Sequence, residues 1–95
     1  MNTIDSETLR SWLETGKPVI VLDVRAAADR ATWAIPGSVH VDAYAALNAK
    51  NAHALDNVSL PDDIPVVTVC NVGHTSKIAS RLLETRGIKA SSLEG

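Results

Sequence analysis

Apolar positions along this chain change period several times. "VIVLDV" (Val19 to Val24) and "VVTV" (Val66 to Val69) are unbroken, mostly β-branched runs, which predicts central strands covered on both faces. Elsewhere the spacing lengthens to that of a helix. In "DSETLRSWLETG", Leu9, Trp12 and Leu13 share one helical face, with Asp5 or Ser6 as cap and Gly16 as stop. "AAADRATW" reads as a short helix and "AYAALNA" as a weaker one. Residues 75–85 form a longer helix with Ile78, Ala79, Leu82 and Leu83 on one side, ended by Gly87. Thr3–Ile4 starts a short edge strand, Ser38 to Val41 forms another after the Pro36-Gly37 turn, and "KASSL" forms the last. "KNAHALDNVSLPDDIP" is a polar loop broken by Pro61 and Pro65.

Strand and helix therefore alternate. That order predicts an α/β fold, a small parallel sheet of about five strands with helices on both faces. With no repeat, low-complexity tract or linker, residues 1–95 read as one domain.

Composition narrows the function. Hydrophobic residues make up 45 % and charged residues 21 %, as in ordinary globular domains. Nine basic and eleven acidic residues are scattered, giving net charge −2 and no basic stripe for nucleic acid. No apolar stretch approaches the roughly 20 residues that span a bilayer, which argues against a membrane partner. The first residues carry acids and no apolar core, so a signal peptide is not expected. One cysteine closes no disulfide within the chain, and the expected location is the reducing cytoplasm.

That cysteine, Cys70, follows the second buried run and precedes "NVGHTS" and a helix. Ligands of an open parallel sheet bind beyond the carboxyl ends of its strands. Amide N–H groups at a helix N-terminus lack partners within the helix and carry partial positive charge. Gly73 lets the loop curl so that several of them converge, and Thr75 or Ser76 can cap the helix. A thiol in such a cradle ionises easily, and a persulfide has the same needs. The bland alternative is a buried, inert cysteine acting as a small hydrophobe; the glycine-bearing loop and capped helix weigh against it.

The order "LDVR … IPGS … VCNVGHTS … SLEG" resembles a single rhodanese domain, the sulfurtransferase module, over nearly the whole chain. Asp23 and Arg25 match the family's aspartate-x-arginine signature, and Asp29 its acidic position. "WAIPGS" (Trp33 to Ser38) stands where the family has "G-H-I-P-G-A". Cys70 and Gly73 match the active loop, and Leu93, Glu94 and Gly95 match the start of "L-E-G-G", after which the family's last segment is missing.

The resemblance implies covalent sulfur transfer without metal or organic cofactor. Cys70 takes a sulfane sulfur from thiosulfate or an organic or glutathione persulfide and passes it to a thiol or cyanide. Backbone amides of Asn71, Val72, Gly73, His74 and Thr75 stabilise the charged sulfur, and the Thr75 and Ser76 hydroxyls add hydrogen bonds. The acceptor is a small thiol such as glutathione, or a thioredoxin-like protein. The loop departs from the cationic "C-R-K-G-V-T" of thiosulfate-using members, because Asn71 and Val72 are neutral. It is closer to "C-x-x-G-K-T-S", found in rhodanese domains fused to or partnered with metallo-β-lactamase-type persulfide dioxygenases, with His74 in place of the lysine. "W-A" at Trp33-Ala34 also removes a usual histidine.

Asp23 is read as a structural acid beside the loop, or as an ordinary turn cap. Arg25 either pairs with an acid such as Asp23, the preferred reading, or meets an anionic donor. His40 and His53 lack a second ligand at metal spacing, as does a Cys70/His74 pair. Trp12 and Trp33 read as core or cover. Two other functions compete with catalysis. One is a non-catalytic rhodanese-like carrier, binding or regulatory module. The other is a phosphatase or arsenate reductase, which needs an arginine six residues after the cysteine, where this chain has Ser76.

Overall fold

The computed structural model describes residues 2–71 and 73–94. Five parallel strands, β1 (Asn2–Ile4), β2 (Ile20–Asp23), β3 (Val39–His40), β4 (Val66–Val69) and β5 (Ala90–Leu93), form one sheet in the order β1-β5-β4-β2-β3. The two apolar runs are the adjacent strands β2 and β4, in register from Ile20↔Val66 to Asp23↔Val69. Their carboxyl ends lie side by side, which places Asp23 and Cys70 at the same rim.

Both faces are covered. On one, Leu22, Val24 and Val66 pack with Leu47 of α3 (Tyr44–Asn48) and with Ala79 and Leu83 of α4 (His74–Thr85). On the other, Val21, Val67 and Val69 pack with Leu9 and Trp12 of α1 (Ser6–Glu14). Successive strand residues point to opposite faces, so an unbroken apolar run is what a doubly covered strand requires. Asp5 caps α1, its carboxylate accepting the Thr8 N–H at 2.8 Å. A short helix α2 (Ala27–Arg30) follows β2.

Two readings shift. The third strand is only two residues long, because its pairing with β2 ends there. The polar segment before β4 contributes to the core: Leu55 is buried, with Val58 and Leu60 against the same cluster. Arg86 donates to the carbonyls of Leu55 (3.1 Å) and Val58 (2.9 Å) and holds that segment against α4.

Candidate active site

Cys70 is the first residue past β4 and is partly buried. Its Sγ accepts the N–H of Gly73 at 3.0 Å and that of Ser76 at 3.4 Å, and lies 3.3 Å from Ser76 Oγ. Gly73 is the N-cap of α4, with φ 82°, and no side chain of its own caps the helix. Neither Thr75 nor Ser76 fills that role, because the helix starts at His74. Ser76 is the third residue of the helix, whose N–H an N-cap side chain ordinarily satisfies. Here sulfur takes that place, so the thiol occupies the positive end of a twelve-residue helix.

Ser76 is fully buried and its hydroxyl also meets Ser92 Oγ of β5 at 2.7 Å. Thr68 donates to the Ser76 carbonyl at 2.7 Å. These contacts fix the first turn of α4 relative to β4 and β5. The sequence offered no sign of Ser92, because a single serine in a short strand carries no motif.

Asp23 and Arg25 form a second layer. Both are almost fully buried, at 2 % and 1 % exposure. Arg25 Nη2 reaches Asp23 Oδ2 at 2.7 Å, and Arg25 Nε lies 3.0 Å from Oδ1. The other guanidinium contacts are the carbonyls of Asp29 (3.3 Å) and Trp33 (2.6 Å), and the Trp33 ring covers the group at 4.0 Å. His40 Nε2 lies 2.8 Å from the Arg25 carbonyl and must donate to it. Arg30 adds a longer contact to Asp23 at 3.3 Å. Of the two roles open to Arg25, the structure shows the preferred pairing with Asp23 rather than the donor contact: its guanidinium is spent on that carboxylate and on two carbonyls beneath the rim. Burial pushes Asp23 upward, but the hydrogen bonds and charge of Arg25, with the charge of Arg30, outweigh it and hold the carboxyl below its ordinary value. Arg25 is correspondingly raised, first by its hydrogen bonds to Asp23, and burial only partly opposes this. The charge of Cys70 contributes to that rise, which places the thiol within electrostatic reach of the ion pair.

A cleft of about 340 Å³ opens over the sulfur, lined by Ala26, Asp29, Tyr44, Cys70, Asn71, His74 and Thr75. Asn71 is exposed and its amide donates to Asp29 Oδ2 at 3.0 Å, tying the loop to α2. His74 is exposed at the mouth, whereas Thr75 is buried. Val72, expected to donate an amide, and Gly95 of the last motif lie outside the described residues. Tyr44 and Ala26 were not anticipated; loop packing brings them to the rim, and no local pattern marks them. Among the described residues no three of His, Cys, Asp and Glu converge as a metal ion would need. Nor is any described helix long and apolar enough to cross a membrane.

Such a site suits a nucleophilic thiolate. The pH dependence of Cys70 alkylation should therefore show a midpoint below the roughly 8.5 of an ordinary thiol. A midpoint at or above that value would mean that the helix end leaves the sulfur unactivated. Gly73→Ala has open space for its Cβ, yet keeps a strained positive φ. It should cost about 1–2 kcal/mol in urea denaturation. The Gly73 N–H would also shift from the sulfur, and sulfur uptake should fall about tenfold or more.

The rhodanese-like domain family matches residues 5–95 of this chain. A tRNA sulfurtransferase of Desulfurococcus amylolyticus is 34 % identical over 76 residues, covering 80 % of this chain. The matched chain spans only 14 % of that relative's length. A rhodanese-like domain protein of Staphylococcus aureus superposes over 100 % of this chain and 86 % of its own, with TM-score 0.84 and 28 % identity. A rhodanese homologue of Thermus thermophilus is 31 % identical with TM-score 0.70, covering 100 % of this chain and 95 % of its own. A human single-domain sulfurtransferase is 25 % identical with TM-score 0.75, covering 100 % of this chain and 90 % of its own.

Proposed function

The chain belongs to the rhodanese-like domain family, and from that premise we propose that it is a sulfurtransferase that carries sulfane sulfur on Cys70. The observation that supports this best is the sulfur's position as the acceptor that caps α4, with Gly73 and Ser76 amides directed at it. The Cys70 thiolate attacks the outer sulfur of a donor. A bond forms from Sγ to that sulfur, the donor's S–S bond breaks, and its electron pair leaves with thiolate or sulfite. A thiol acceptor then attacks the outer sulfur and regenerates Cys70. The amides of the loop and helix end hold negative charge on either sulfur without reorganising.

Asp23 and Arg25 act beneath the site, fixing the rim from which the loop departs. Asn71 and His74 face the donor at the mouth, and Thr75 closes the wall beside the sulfur. The neutral Asn71, and Val72 by its type, favour an organic persulfide over thiosulfate, a small dianion that needs fixed cations. Glutathione or a thioredoxin-like protein serves as acceptor, a persulfide dioxygenase is a fitting partner, and the reducing cytoplasm is the fitting location. Steady-state kinetics test this reading. Varying donor at several acceptor concentrations should give the parallel double-reciprocal lines of a ping-pong reaction. Intersecting lines would place both substrates on the protein together and contradict a covalent carrier. No turnover with any donor would favour the non-catalytic module.

A further inference from the structure

We propose that Asp29 selects the sulfur donor by the charge of its tail, favouring a cationic group over an anionic one. The inference rests on the sulfurtransferase reading and concerns which donors the same cleft admits.

Asp29 lines the cleft with Cys70, and neither lysine nor arginine does so among the described residues. Its carboxylate is tied to Asn71 by a neutral amide, which satisfies one oxygen without cancelling the charge. The guanidinium beneath offsets that charge only in part. Arg25 and Asp29 attract each other through space, but the guanidinium's hydrogen bond to Asp29 goes to the backbone carbonyl and its strongest bonds go to Asp23. Arg30 is likewise turned to Asp23 and Ser38. With Cys70 as thiolate, three anionic groups share two guanidinium groups, so the fixed charge around the cleft stays negative. Tyr44, nearly half exposed, forms part of the same lining. An ammonium in the cleft would meet a carboxylate and an aromatic ring, both of which attract cations. A carboxylate or sulfonate would meet repulsion.

The transfer itself is unchanged. The Cys70 thiolate and a hydropersulfide RSSH give the Cys70 persulfide and the thiolate RS⁻, with no net oxidation or reduction. Only the tail R senses Asp29.

A series of small hydropersulfides tests this, prepared from cysteamine (cationic tail), 2-mercaptoethanol (neutral) and 3-mercaptopropionate (anionic). The rate constant for sulfur uptake by Cys70 is read by intact mass at low salt, with the neutral donor as internal reference in each protein. The native chain should rank cationic above neutral above anionic, by about fivefold to thirtyfold per unit of tail charge, with the spread shrinking at high salt. Asp29→Asn keeps an oxygen that can accept from Asn71 and removes the charge, so it should collapse the ranking. Asp29→Glu should restore it. Asp62→Asn, which removes an exposed carboxylate outside the cleft, should leave the ranking in place when run in parallel, which separates Asp29 from the overall charge of the protein. Uptake from all three donors with no ranking in the native chain, or a ranking that survives Asp29→Asn, overturns the inference and leaves the sulfurtransferase reading standing. No uptake from any donor overturns both.

Discussion

Cys70→Ser should abolish sulfur transfer, lowering turnover by at least about a thousandfold, as expected when the nucleophile of a covalent mechanism is removed. The fold should survive. The hydroxyl is close to the thiol in size, and its oxygen can accept the same Gly73 and Ser76 amides, so the stability change should stay below about 1.5 kcal/mol. Turnover and urea denaturation of one preparation separate the two effects. Full turnover in the serine variant would mean that another group carries the sulfur.

The second large effect is on stability. Arg25→Ala leaves Asp23 buried with the backbone N–H of residue 25 at 3.0 Å and the longer contact from Arg30, and without its guanidinium partner. Breaking a buried pair on one side costs about 3–5 kcal/mol, a large share of the roughly 5–15 kcal/mol that holds a typical domain together. The urea midpoint should fall accordingly. A loss below about 1 kcal/mol would show that Arg30 and the backbone N–H of residue 25 together compensate the carboxylate. The same pair sets an acid limit. A carboxyl held below its unfolded-state value adds stability that is complete above that value and is lost as pH falls through the folded one. Asp23 is such a group, so unfolding free energy should drop as pH falls below about 4. Asp23→Asn should flatten that drop.

Much of the fold was legible because its signals are local. "VIVLDV" and "VVTV" have the composition of strands covered twice, and they became the adjacent strands β2 and β4. The family resemblance placed Cys70, Gly73 and the Asp23–Arg25 signature, and the structure brings all four to one rim. What escaped the sequence depends on packing across the chain. Ser92 reaches Ser76 because β5 lies beside β4. Tyr44 and Ala26 reach the cleft through the turns around β2 and α3. The cap of α4 was misplaced because its acceptor is a sulfur six residues before Ser76, outside the local pattern by which caps are found. Arg25 carried two plausible roles in sequence, and only burial and distance separate an ion pair from a donor contact.

The central claim is that Cys70 carries sulfur between donor and acceptor. The most direct measurement is the intact mass of the protein after brief incubation with an organic persulfide and removal of small molecules, followed by peptide mapping. The account predicts a gain of one sulfur atom, located on the peptide containing Cys70, lost on addition of thiol acceptor and absent in Cys70→Ser. A folded protein that gains no sulfur from an organic persulfide or from thiosulfate, or gains it equally without Cys70, would contradict it.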